Sequence, residues 1–250
     1  MPRIKDIYAN LDKLAPFSTA MEWDNTGLLV GSMEWEAAGC ILSLDVTNEA
    51  IRLAKETKSN LIVTHHPVIF SPLHCLLEDN IVYRLAQEKI AVLSAHTNLD
   101  LVEGGVNDAL CHALELRNVQ PFLNGDHLGR IAELSNKMTV SEFAAYAKER
   151  LSAPEVSFTA GETPIFRIAV VSGSGGDYLG DAMRQGADAL LTGEVRHHQI
   201  VTAVNAGFPL VSAGHYSTEA VILPVLNERF GRAFPEMPCQ ICRSFDCQAI

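Results

Sequence analysis

Two adjacent histidines, His65 and His66, interrupt the stretch LIVTHHPVIF, after the apolar Leu61, Ile62 and Val63 and the hydroxyl-bearing Thr64 and directly before Pro67. The apolar run reads as a buried strand that ends at the histidines, because proline cannot donate to a sheet ladder. Side chains alternate across an extended segment, so neighbouring imidazoles suit two closely spaced metal ions better than one. The plainer reading of the same residues is a loop with two hydrogen-bonded histidines.

An internal echo favours the metal reading. LIVTHH (61–66) resembles LLTGEVRHH (190–198), and IAVLSAHTNLD (90–100) resembles PLVSAGHYSTE (209–219). In each copy a strand ends at Thr, polar residues follow, and a second strand ends in Ser-Ala before a histidine and then a carboxylate. Two matches in the same order point to duplicated βαβ units that expose His and carboxylate at their strand tips. The candidate ligands are His65, His66 and Asp100 from the first copy and His215 and Glu219 from the second. His215 and Glu219 stand at i and i+4 and share one face if a helix has begun there. Histidine nitrogen with carboxylate oxygen is a ligand set for zinc, manganese, iron or nickel, whereas magnesium and calcium prefer oxygen alone. Five such residues can hold a dinuclear centre of two divalent ions, with a carboxylate bridging them, and such a centre lowers the pKa of bound water.

Further polar residues are candidates for orienting those ligands. His96 follows Ala95 at a strand end, as ligand or as a loop hydrogen-bonder, while Asp100 at i+4 can fill the metal role without it. Glu194, His197 and His198 occupy the second copy's equivalent of THH and can act as orienting or proton-moving groups, or simply as the polar start of a helix. The glycines of VSGSGGDYLG, Gly173, Gly175 and Gly176, follow an apolar strand and open a helix, where backbone amides can cradle a phosphate. The alternative is a plain tight turn. EWDNTGLLVG reads as a sharp turn at Asp24, Asn25 and Gly27. Cys239 and Cys242 form a C-x-x-C pair with Cys247 nearby, but no fourth ligand completes a zinc site, so the tail reads as a solvent-exposed terminal segment.

These residues need strands and helices in alternation to position them. Helix 4–14 comes first, then the apolar LLVG, a strand over 38–44, the helix DVTNEAIRLAKET capped near Thr47 or Asn48, strand NLIVTHH, helix DNIVYRLAQEK, strand IAVLSAH and helix GGVNDALCHALEL. After a break at PFLNGDHLG come GRIAEL, the helix TVSEFAAYAKERL, strand IFRIAVVSG, helix DYLGDAMRQG, strand ADALLTGE, helix RHHQIVTAVNAG, strand PLVSAGH and helix STEAVILPVLNERF. This rhythm predicts an α/β fold with parallel pairing. The halves are 1–123 and 124–250, with elements free to cross between them.

The 250 residues are 48% hydrophobic, enough for a sizeable core, and carry a formal charge of −11. The acidic balance disfavours a nucleic-acid footprint, which uses surplus Lys and Arg. No apolar stretch reaches the length of a membrane span, the charged start has no signal-peptide pattern, and the scattered cysteines suit a reducing compartment. A cytoplasmic protein is expected.

In order along the chain, EWDNTGLLVG, VTHHP, HTNLD, SGSGG, TGEVRHH and AGHYSTE resemble the Nif-three-like dinuclear-metal family, whose members are often labelled GTP cyclohydrolase 1 type 2 homologues. The family's ligands fall on His65, His66, Asp100, His215 and Glu219, the residues the echo singles out. The resemblance implies two interlinked α/β halves of similar βαβ topology with the dinuclear site between them, and a homohexameric ring. The expected function is a metal-dependent hydrolase acting on a nucleotide or similar small anion, with hydrolysis at C8 of GTP and release of formate as one possibility. The alternative is a metal-ordered ring that acts as a regulatory or scaffold protein, binding partner proteins or nucleic acid without catalysis. No catalytic residue is singled out beyond the metal ligands.

Overall fold

The tetrapeptides CILS, LIVT and AVLS are buried from end to end, the pattern of strands covered on both faces. They are the centre of the first of two sheets. The computed structural model describes residues 1–123 and 127–243. The residues 124–126 of the break at PFLNGDHLG, and Cys247 of the tail, lie outside the described residues. In chain order the elements are α1 (Ile4–Leu14), β1 (Gly27–Val30), β2 (Cys40–Ser43), α2 (Asn48–Glu56), β3 (Leu61–Thr64), α3 (Ile81–Gln87), β4 (Ala91–Ser94), α4 (Thr97–Leu101), α5 (Val106–Ala113), β5 (Arg117–Pro121), β6 (Arg130–Thr139), α6 (Val140–Arg150), β7 (Ser157–Phe158), β8 (Pro164–Val171), α7 (Leu179–Arg184), β9 (Ala189–Thr192), α8 (His197–Ala206), β10 (Leu210–Ser212), α9 (His215–Glu219), α10 (Ile222–Ala233) and β11 (Cys239–Ile241).

The chain groups into two compact units, one made of Met1–Val102 with the described residues from Leu223 onward, the other of Glu103–Ile222. The first unit holds a sheet of order β1-β4-β3-β2-β11, and the second a sheet of order β5-β6-β8-β9-β10-β7. The α/β class is as expected, but the pairing is mixed. β11, β2, β3 and β4 run parallel and β1 joins antiparallel to β4. In the second unit β8, β9 and β10 are parallel, whereas β5, β6 and β8 pair antiparallel and the short β7 closes the far edge antiparallel to β10. Parallel strands need a crossover connection, and here α2 and α3 join β2, β3 and β4 while α7 and α8 join β8, β9 and β10.

Local signals account for the helix ends. Thr47 accepts from the Ala50 amide at the start of α2, and Thr139 and Glu142 form a reciprocal capping box on α6. Gly207 ends α8 in the left-handed conformation. The first core gathers Ile41, Ile62 and Val92 with Ile51 and Leu85 from the covering helices. Phe143, Ile168 and Leu191 belong to one core of the second unit, and Phe122, Leu190 and Leu210 to the other.

Cys239 and Cys242 do not lie in an exposed tail. Cys239 stands in register beside Cys40 on the parallel pair β11 and β2, and Cys242 is buried in the first core. No helix among the described residues is long and apolar enough to cross a membrane.

Candidate metal centre

The duplication seen in the sequence is a duplication of strand ends. In the first unit Thr64 at the tip of β3 is in register with Ser94 at the tip of β4, and their hydroxyls hydrogen-bond at 2.7 Å. In the second, Thr192 at the tip of β9 is in register with Ser212 at the tip of β10. The tips of β4 and β10 then release the chain into a five-residue helix, α4 or α9, which carries Asp100 or Glu219. Ligands gather at the carboxyl ends of parallel strands because there the chain leaves the sheet and side chains converge.

Within the first unit the structure brings His65, His66, His96 and Asp100 together. The metal-binding atoms of the three imidazoles lie within 4.8 Å of one another. His65 is 2% exposed, and its Nε2 stands 3.6 Å from Asp100 Oδ1. What faces the other ring nitrogens sets the chemistry. His65 Nδ1 is 3.0 Å from the Ala95 carbonyl oxygen, which can only accept, so Nδ1 carries the proton. His66 Nδ1 is 2.8 Å from Asp45 Oδ1, and His96 Nδ1 is 2.9 Å from Asp24 Oδ1. Three acceptors thus fix three imidazoles as Nδ1–H tautomers and leave Nε2 as the electron-pair donor, the arrangement typical of metal-binding histidines.

The Asp24 side chain is withdrawn from solvent. Burial opposes its ionisation, but hydrogen bonds from His96 and from the Thr97 hydroxyl and amide outweigh burial and bring its pKa down to about 2. A fixed anion therefore orients the imidazole. Neither Asp24 nor Asp45 was expected at the site. The sequence shows Asp24 as part of a turn, and the contact that gives it a role spans 72 residues.

Within the second unit His215, Glu219 and Glu194 come together. His215 Nε2 is 3.0 Å from Glu219 Oε2 and its Nδ1 is 3.3 Å from Glu194 Oε2. Burial disfavours the imidazolium, but hydrogen bonds and charge from Glu219 and Glu194 overcome this and raise the His215 pKa to about 9. Burial pushes the Glu194 carboxyl up, yet the Ser174 hydroxyl and His215 bring it below its ordinary value. The pair of carboxylates creates a place that favours positive charge. His197 and His198 are exposed at the first turn of α8.

The glycine-rich loop packs tightly beneath this group. Gly173 has φ +58°, and a Cβ there would fall 2.1 Å from Glu219 Oε1 and 3.3 Å from His215 Nε2. A Cβ at Gly175 would meet Val171 and Thr192, and one at Gly176 would meet the Gln199 amide. The Gly173 and Gly175 amides donate to the Thr218 and Thr192 hydroxyls, so both are engaged inside the protein. Beside the loop lies a cavity of about 370 Å³, lined among others by Ser174, Gly176, Gly193, Glu194, Arg196 and Gln199. That volume is within the range of small-molecule sites.

The donor set therefore fits divalent metal ions of the zinc, manganese, iron or nickel kind. Residues 2–245 match the family model described as Duf34/NIF3 (NGG1p interacting factor 3). The chain belongs to the NIF3 family. A Streptomyces coelicolor protein named GTP cyclohydrolase 1 type 2 homolog is 35% identical over 234 residues, covering 88% of this chain and 82% of that protein. A Clostridium perfringens protein of the same name is 32% identical over 237 residues, covering 91% of this chain and 90% of that protein. The crystal structure of a Staphylococcus aureus hypothetical protein superposes with a TM-score of 0.92 at 30% identity and covers 99% of both chains. The two-sheet α/β architecture is thus that of the NIF3 fold.

Proposed function

We propose that this NIF3-family chain is a metal-dependent hydrolase of small nucleotide-type molecules, with two divalent ions held by His65, His66, Asp100, His215 and Glu219. The observation that carries the reading is the set of three imidazoles whose Nδ1 atoms each face a separate acceptor while their metal-binding atoms lie within 4.8 Å of one another, with His65 Nε2 3.6 Å from Asp100 Oδ1. Random surface histidines do not share one tautomer enforced by separate acceptors. Divalent ions bound there would supply Lewis acidity, which lowers the pKa of water and polarises an electrophile.

The chain's own groups do the rest. Ala95, Asp45 and Asp24 hold the imidazoles in place. Glu194 holds the Nδ1 proton of His215, so that Nε2 faces Glu219. The cavity beside Glu194 can take a small polar molecule, and its wall carries the Arg196 guanidinium, 3.8 Å from Asp177. The name shared by the relatives directs attention to GTP, where addition of water at C8 opens the imidazole ring and hydrolysis of the resulting formyl group releases formate. Attack at phosphorus would instead release phosphate or a nucleoside.

The test begins with metal analysis of reconstituted protein, which should approach two equivalents in the wild type. It should fall to one or fewer in the His65→Ala, His215→Ala double variant, and Glu219→Gln should weaken both sites while His74→Ala changes nothing. Protein loaded with manganese, zinc or iron is then incubated with GTP, nucleoside monophosphates and dinucleotides, with formate and phosphate assayed separately. Wild-type stoichiometry at or below one equivalent rejects the dinuclear site. Two bound ions without turnover of any substrate, or with turnover equal in His66→Ala protein, would replace the hydrolase by a metal-ordered binding protein.

A further inference from the structure

Trp23 is 61% exposed and Phe70 is 55% exposed, yet the two rings are neighbours, with centroids 5.9 Å apart and planes tilted by 51°. Both also border the same histidine. The indole meets the His96 imidazole edge-on at 6.1 Å, and the phenyl ring meets it edge-on at 6.4 Å. Two large aromatic side chains left in water beside an imidazole cluster forgo the burial that normally stabilises such groups. A surface of this kind at the rim of a polar site points to a flat apolar occupant.

The backbone under the two rings is held firmly. Asp24, next to Trp23, accepts from the Thr97 amide and hydroxyl and faces His96 Nδ1. Asn25 donates its side-chain amide to the carbonyl of Ile69, next to Phe70, at 2.6 Å. The turn EWDNTG thus does three things with consecutive residues: Trp23 offers a ring, Asp24 orients His96, and Asn25 ties the turn to the segment carrying Phe70. Rings positioned by anchored neighbours lose little freedom when a ligand settles on them.

We propose that Trp23 and Phe70 form an aromatic platform that stacks the planar heterocycle of the substrate beside the histidine cluster. The proposal rests on the reading above only in taking the substrate to be nucleotide-like. Because the rings are tilted and not stacked on each other, a face of each remains for a base, and stacking of this kind accepts any heterocycle with a π face. The platform therefore recognises the base, whereas the sugar and phosphate are left to other groups.

The sequence has two tryptophans, Trp23 and Trp35, so Trp35→Phe makes Trp23 the sole indole reporter. Metal-free and zinc-loaded protein are titrated with guanosine, adenosine and ribose 5-phosphate, with emission corrected for nucleoside absorbance. The nucleosides should quench Trp23 saturably and ribose 5-phosphate should not. Phe70→Ala should weaken nucleoside binding about fivefold or more, the lower end of what loss of one stacking partner costs, with Phe70→Tyr restoring it and metal content unchanged in both. Trp23→Phe in the native background should abolish the ligand-dependent change. Equal quenching by ribose 5-phosphate, no quenching, or nucleoside affinity indifferent to Phe70→Ala overturns the platform. A Phe70→Ala change in native mass without a change in nucleoside binding also overturns it, by assigning the rings to a subunit contact. Metal stoichiometry is read in the same samples, so loss of the metal site and loss of the platform are told apart.

Discussion

Gly173 shows how much one missing Cβ can do. Its φ of +58° is strained for any other residue, and its Cβ position coincides with Glu219 Oε1 at 2.1 Å. Gly207 provides the contrast, with φ +62° and nothing within 4 Å of the Cβ position. Alanine at either position carries the same left-handed strain, about 1–2 kcal/mol, and urea unfolding should show a loss of that size at Gly207 and of at least that size at Gly173. Only Gly173→Ala must also displace the Glu219 carboxylate. Metal content after reconstitution should therefore drop in Gly173→Ala and stay at the wild-type level in Gly207→Ala. Equal metal content in the two variants would mean that the loop and Glu219 are not coupled.

At the scale of elements, the strand β11 closes the first sheet. It pairs with β2 through Cys239, Gln240 and Ile241 opposite Cys40, Ile41 and Leu42, and the Cys242 amide donates to the Leu42 carbonyl at 2.8 Å. A chain ended at Pro238 would leave β2 as an open edge and uncover apolar residues of the core. Loss of roughly 2–4 kcal/mol is expected, since one or two buried side chains return to water, together with a greater tendency to aggregate. Urea midpoints of the truncated and full-length chains measure it, and an unchanged midpoint would show β11 to be dispensable. This strand was not legible in the sequence. PCQICRSFDC has polar residues between its cysteines and no clear alternation that would mark a strand, even though the helix α10 precedes it.

For the whole molecule, a formal charge of −11 and clustered carboxylates at the site both work against folding and both are relieved by a bound cation. Binding to the folded chain alone stabilises it by about 2.7 kcal/mol when free metal is a hundredfold above the dissociation constant. For a chain of this size that is a rise in Tm of roughly 5–10 °C. Zinc or manganese titrated against thermal unfolding should show such a rise in the wild type and none in the His65→Ala, His215→Ala double variant. An equal rise in both would trace it to ions bound elsewhere.

The α/β class, the repeated Thr and Ser strand tips and the five candidate ligands were all legible in the linear chain. Those features rest on local order: apolar runs mark buried strands, and a duplicated unit repeats its chemistry at the same offset from its strand ends. The carboxylates behind the imidazoles were not, because Asp45 meets His66 across 21 residues and Asp24 meets His96 across 72. His96 likewise stood in the sequence as a residue that Asp100 made redundant, and only folding placed its ring within reach of His65 and His66. Periodicity reports which face a residue occupies on its own element. Which distant side chain it faces depends on how strands pair and loops close, and that is decided by tertiary structure, where the turn around Asp24 became the support of a histidine instead of a bend in the chain.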